Sequence, residues 1–308
     1  METFTSLLII FLFLTAGMAG AYFKIIPDTG YLDKIMSIAL AALLFSMGLR
    51  IGLLDSVTSQ LVRIGVLSFS FAIGTVVGTI VVALLFLFLY GRLSFFKRGD
   101  KGDHASIIDG LKEPMRLLLF VLAGFLCGLL LPFFSWFKEE YTTYLLYALL
   151  FLIGVQMIRN EIDLKKAMLH PVTFIIPLAT IIGSLGGGLL TGFLFDIDPG
   201  KSLSLAAGFG WYSLSGVLIT EMGDPVLGAA AFLINVIRET IALLLIPFLA
   251  RFNLSPVAIG IGGATTMDVT LPLIERSCGT DFVPLAIVNG AVLSMLVPFL
   301  VPFFYTLG

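Results

Sequence analysis

With 308 residues, of which 58% are hydrophobic and only 12% charged, the chain lies outside the soluble range, where about 25% of residues carry charge. A mean hydropathy of +1.07 reads as an all-α polytopic membrane protein in contact with the lipid bilayer. A formal net charge of -2 without a basic stripe excludes nucleic acid as a partner, and the two cysteines, Cys127 and Cys278, form neither a disulfide framework nor a metal-ligand spacing.

Windows of membrane-spanning length mark apolar segments near 4-22, 31-49, 64-90, 116-137, 141-158, 172-195, 202-220, 227-250, 255-274 and 282-306. The first follows only Met1-Glu2-Thr3 and has no basic n-region, so it reads as a retained helix with its N-terminus outside. The longest polar stretch, Gly91 to Met115, reads as a solvated loop. With the N-terminus outside, the first three inside loops carry Lys24 and Lys34, then Arg92, Lys97, Arg98, Lys101, Lys112 and Arg116, then Arg159, Lys165 and Lys166. The matching outside loops hold only Arg50, Arg63, Lys138 and Lys201, and this bias supports the orientation.

Two internal repeats organise the segments. Leu43 to Gly48 resembles Leu149 to Gly154 at an offset of 106, and Ile73-Gly74 through Leu85-Phe86 resembles Ile182-Gly183 through Leu194-Phe195 at 109. Residues 1-200 are therefore expected to be a six-helix scaffold of two inverted three-helix repeats, 1-90 and 116-196. Gly74/Gly78 and Gly183/Gly187 supply small faces for close helix packing. A weaker repeat at an offset of 54 aligns Glu221 with Glu275 and Asn235 with Asn289. It makes 201-308 a transport core in which two interrupted segments, 202-220 and 255-274, are each followed by a continuous helix. Interruptions survive at membrane depth only when buried in protein or lining a cavity. They are either re-entrant, which gives eight crossings, or full crossings, which gives ten. Eight is preferred because it leaves the acidic Glu221 to Asp224 connection outside. Either count is even and returns the C-terminus outside.

The stretch Leu227 to Ala250 carries Arg238 and Glu239 at its midpoint, roughly 16 Å from either end at ~1.5 Å rise per residue. Charge at that depth persists only toward a bundle interior or a wet cavity. Asn235 and Glu239 share one helix face by their i, i+4 spacing, while Arg238 points about 100° away. The second interruption gathers Gly262, Gly263, Thr265, Thr266 and Asp268, a surface of unwound carbonyls, hydroxyls and a carboxylate that suits an ammonium or a cation. The first presents Gly208, Gly210, Trp211, Tyr212, Ser213 and Ser215, an aromatic plate with hydroxyl donors. Structural alternatives stand beside these: Arg238 and Glu239 as packing pairs, Asp268 as a helix N-cap, and Trp211 and Tyr212 as interfacial anchors. Glu221, Asp224, Glu275 and Arg276 fall at segment ends and are expected to be solvated. His104 and His170 lie in polar loops, Ser213-Leu214-Ser215-Gly216 lacks the glycine of a serine-protease pattern, and no nucleotide-binding loop occurs. Proteolysis and ATP-driven pumping drop out, and the chain is not expected to be an enzyme.

The runs Ala207 to Gly216, Asn235 to Glu239 and Gly263 to Pro272 closely resemble the prokaryotic lysine exporter family, well from Leu203 onward and more loosely before it. The resemblance implies export of L-lysine and its toxic analogues across the cytoplasmic (inner) membrane, with Glu239 and Asp268 as an intramembrane acidic pair. On that basis the expected function is a secondary active exporter, proton-coupled by antiport and needing no cofactor. Glu239 and Asp268 would bind substrate ammonium groups or protons. Arg238 and Asn235 would position the substrate carboxylate or tune Glu239, and Thr265, Thr266, Trp211, Tyr212, Ser213 and Asn289 would complete the site. Gly208, Gly210, Gly262 and Gly263 would permit unwinding. Sodium coupling is not excluded, since a sodium-coupled symporter of a small organic anion would use the same interruptions. A passive channel is the other alternative, and a homodimer is compatible with either.

Overall fold

The computed structural model describes residues 2–24, 31–53, 57–89, 107–130, 139–159 and 172–308. All regular structure among these residues is helical. The long helices are α1 (Glu2–Tyr22), α2 (Leu32–Gly52), α3 (Val57–Leu89), α4 (Ile107–Leu130), α5 (Glu139–Arg159) and α6 (Val172–Leu194). Two short helices follow, α7 (Pro199–Ala206) and α8 (Tyr212–Glu221), then the long α9 (Pro225–Arg251). The pattern repeats with short α10 (Ser255–Gly262), a 3-10 turn (Gly263–Met267), short α11 (Leu271–Cys278) and long α12 (Val283–Tyr305). Among the described residues, five stretches are long and apolar enough to cross a bilayer, and three shorter apolar stretches lie in α1, α4 and α5. The protein is a multi-pass membrane protein.

The expected segments recur with one shift. Helix α4 begins at Ile107, so the end of the predicted polar loop is helical. Ile107, Leu111 and Met115 recur every fourth residue, a helical period that charge content obscures. Arg92, Lys97, Arg98, Lys101, His104, Lys138, Lys165, Lys166 and His170 lie outside the described residues.

Helix α1 packs on α5, α2 on α4, and α3 on α6. Glycines set these crossings at backbone contact. A methyl at Gly17 would strike the carbonyl of Phe151, and one at Gly154 the carbonyl of Leu14; Gly48 and Gly124 face Val121 and Phe45 in the same way. Gly78 lies against Gly183, and Gly74 against Gly187. At such approach the helices gain dispersion along their whole crossing, the main attractive term where lipid already satisfies apolar surface. Helices α3 and α6 then carry the remainder of the chain: α9 and α10 pack on α3, while α7, α10 and α12 pack on α6.

Each short-helix pair folds back on itself. The start and end of the first pair meet where Lys201 Nζ lies 3.5 Å from Asp224 Oδ2. In the second pair the Cys278 side chain bonds that of Ser255. The tips of the two hairpins touch through a backbone bond, Ala264 N–H to Phe209 O at 2.8 Å.

Candidate functional site

The first hairpin breaks at Ala207–Trp211. Asp198 caps α7 through Gly200 N and Lys201 N, and the helix stops where Phe209 and Gly210 take φ of 47° and 101°. Such angles cost a residue bearing a Cβ, so Phe209 is held there by its surroundings. It is fully buried, and its carbonyl accepts the bond from the other tip. The second hairpin breaks at Gly263, whose φ is 64° and whose missing side chain leaves room for the Phe209 carbonyl. Gly262 keeps ordinary helical angles. Gly208 serves space rather than unwinding, because a methyl there would collide with the Asn235 amide.

Both long helices place an asparagine against the break that precedes them. Asn235, 1% exposed, accepts from Gly210 N at 2.7 Å and donates to Ser215 Oγ at 3.0 Å and Ala231 O at 2.9 Å. Two of its amide bonds hold the first hairpin and the third returns to its own helix. Asn289, also buried, donates to Gly263 O at 3.0 Å and Thr266 Oγ1 at 3.1 Å. Thr266 Oγ1 in turn reaches the Gly263 and Ala286 carbonyls at 2.8 and 2.7 Å. Thr265 donates to Gly262 O at 2.9 Å. These two threonines close the turn around Gly263, so their hydroxyls hold the backbone first.

The charges at the middle of α9 are buried. Arg238 and Glu239 are each 1% exposed, where an ion persists only with strong local compensation. Arg238 reaches α6, donating from Nη1 to Ser184 Oγ at 2.7 Å. Ser184 bonds the Ala206 carbonyl at 2.9 Å, at the entry to the first break. One turn earlier on α6, Thr180 bonds Gly260 O at 3.2 Å, at the entry to the second. Nε and Nη2 of Arg238 find no acceptor among the described residues. Asp268, at the far end of the second break, is exposed, and its Oδ1 accepts from Val269 N at 2.6 Å. The site thus has a sealed carboxylate on α9 and an open one on the second hairpin. Trp211 is half-buried at the first tip; Ser213 and Tyr212 are buried, the latter edge-on to Phe232 at 5.7 Å. Tyr212 therefore packs within the bundle rather than at a membrane interface.

Glu221 corrects an expectation. It is not a solvated segment end but half of a buried ion pair: Arg50 Nη1 lies 2.6 Å from its Oε1, with side-chain exposures of 7% and 5%. Thr143 donates to its Oε2 at 2.6 Å. Arg50 likewise belongs to the last turn of α2 rather than to a loop. Sequence reasoning also passed over Ser184 and Thr180. Their i, i+4 spacing on an otherwise apolar helix is the signal that marks a polar stripe facing the breaks. Among the described residues no cluster of three or more metal-ligating side chains occurs.

The comparisons with known proteins agree among themselves. A family model described as lysine exporter LysO matches residues 11–97 and 118–305. Lysine exporter LysO of Escherichia coli (strain K12) is 39% identical over 273 residues, covering 89% of this chain and 90% of that protein. A Haemophilus influenzae protein named as a candidate lysine exporter is 36% identical over 188 residues, covering 61% of this chain and 96% of the relative. No solved structure matches the chain.

Proposed function

Because the chain belongs to the lysine exporter family, we propose that it is a secondary active exporter of L-lysine and its toxic analogues, driven by proton antiport across the cytoplasmic membrane. The observation that carries this reading is the burial of the adjacent residues Arg238 and Glu239 at the middle of α9, with Arg238 beside two helix breaks whose tips touch. Glu239 and the exposed Asp268 would take a substrate ammonium on one half of the cycle and a proton on the other; at the buried Glu239 either partner replaces water lost on burial. Arg238 would hold the substrate carboxylate. Asn235 contributes by fixing the first hairpin, as two of its amide bonds are committed there.

The same reading has eight crossings, α1 to α6 with α9 and α12, and two re-entrant hairpins, with both termini outside. The adjacency of Lys201 to Asp224 and of Ser255 to Cys278 supports it, because a hairpin returns to the face it entered. Inverted repeats are supported by the pairing of helices: exchanging α1–α3 with α4–α6 turns the α1-α5 crossing into the α4-α2 crossing and leaves α3-α6 in place. Residues 201-308 would form the transport core, carried by α3 and α6 of the six-helix scaffold.

The test is efflux of L-lysine from proteoliposomes containing the purified protein, with and without an imposed pH gradient. The expected result is gradient-dependent efflux that Glu239→Gln and Asp268→Asn each abolish. Full flux in both variants would sink the carboxylate mechanism, and flux indifferent to the gradient would sink proton coupling.

A further inference from the structure

The asparagines at equivalent places in the two halves of the core are not equally used. Asn235 spends its carbonyl on Gly210 N at 2.7 Å. The residue equivalent to Gly210 at the offset of 54 is Ala264, and its N–H is diverted across the tip to Phe209 O at 2.8 Å. Asn289 Oδ1 therefore keeps no hydrogen-bond partner among the described residues, although the side chain is 0% exposed. Its Nδ2 is anchored on Gly263 O, so the carbonyl is held beside that glycine rather than free to turn away.

Arg238 also stands near Gly263. Nη2 lies 3.5 Å from the position a Cβ at Gly263 would occupy, and Nη1 is committed to Ser184. The two nitrogens left over, Nε and Nη2, form one edge of the guanidinium, the edge that donates two parallel bonds to a carboxylate. An unmatched cationic edge and an unmatched carbonyl, both shut away from water, thus lie near a single glycine. A buried polar group without a partner is costly and calls for an explanation, and a ligand that supplies the partner is one.

One chemical group offers both missing partners on a single carbon: the head of an α-amino acid, with a carboxylate that accepts and an ammonium that donates. We propose that this head group docks at Gly263, its carboxylate on the Nε and Nη2 edge of Arg238 and its α-ammonium on Oδ1 of Asn289. The proposal rests on the exporter reading above and deepens it. It makes both halves of the α-amino acid head a requirement and excludes cations that lack either one. Gly263 is required because any side chain there would strike the Phe209 carbonyl that joins the two tips.

The test compares three compounds in proteoliposomes holding the intact protein: L-lysine, cadaverine, which lacks the carboxylate, and 6-aminohexanoate, which lacks the α-ammonium. Sites built around such hydrogen bonds reject analogues without them strongly, so the expected flux of each analogue is at least about tenfold below that of lysine. Asn289→Ala adds a readout that a purely structural role would not move: the ratio of lysine to 6-aminohexanoate flux falls toward one, while the ratio of lysine to cadaverine holds. Should the variant fail to fold, the wild-type ratios decide alone. Lysine flux with either analogue carried at a comparable rate overturns the head-group assignment and leaves lysine export standing. Absence of any lysine flux removes the exporter reading and this assignment together.

Discussion

Replacing Glu221 by glutamine removes one charge from the Arg50 pair while keeping the shape of the site. The wild-type carboxylate is engaged at both oxygens, by Arg50 Nη1 at 2.6 Å and by Thr143 Oγ1 at 2.6 Å, and the two charged side chains are 7% and 5% exposed. Glutamine leaves the guanidinium buried without its counter-charge, a loss of about 3 to 5 kcal/mol for a buried pair. At about 2 °C per kcal/mol for a chain of this length, the Tm of the detergent-purified protein should fall by about 6 to 10 °C. The double variant Arg50→Leu, Glu221→Leu removes both charges, and replacing a buried pair by apolar residues is often neutral or stabilising. It should recover most of that loss. An unchanged Tm in Glu221→Gln, or a double variant as unstable as the single one, would refute the idea that an uncompensated charge sets the cost.

Two further perturbations follow from the packing. Gly78→Leu drives a side chain into the Gly183 carbonyl on the facing helix; with backbone on both sides nothing can give way, and the loss should exceed the ~1 to 3 kcal/mol usual for overpacking, read as loss of the monodisperse peak in size-exclusion chromatography. Asn235→Ala strands the Gly210 N–H at about 1 to 3 kcal/mol for a group left unsatisfied, while the Ser215 hydroxyl keeps its bond to the Trp211 carbonyl, and the change should raise the rate of limited proteolysis within 207–211 without altering that at the second break.

The elements and both helix breaks were legible from residues alone, because hydropathy over a bilayer length and runs of glycine, serine and threonine are local signals. Arg238 and Glu239 stood out for the same reason, as charge in an apolar run. What stayed hidden depends on distant partners. Glu221 sits at a segment end and looks solvated until α2 brings Arg50 to it across 171 residues. The two asparagines align in sequence, yet only the tip contact between Ala264 and Phe209 decides that one carbonyl is spent and the other is not. The early start of α4 is hidden because its charged residues read as loop and mask the fourfold spacing of Ile107, Leu111 and Met115.

The pairing of α1 with α5, α2 with α4 and α3 with α6 bears on how the chain is made. Each of the first three helices finds its main neighbour only among the next three, so none acquires its glycine-to-carbonyl contacts while it is the newest helix in the bilayer. At about 5 to 20 residues per second, α1 to α3 wait for seconds as single helices, held by lipid alone. Their glycine faces are then open to any passing helix of a nascent neighbour. The glycine contacts of the first three helices thus wait on the synthesis of the next three.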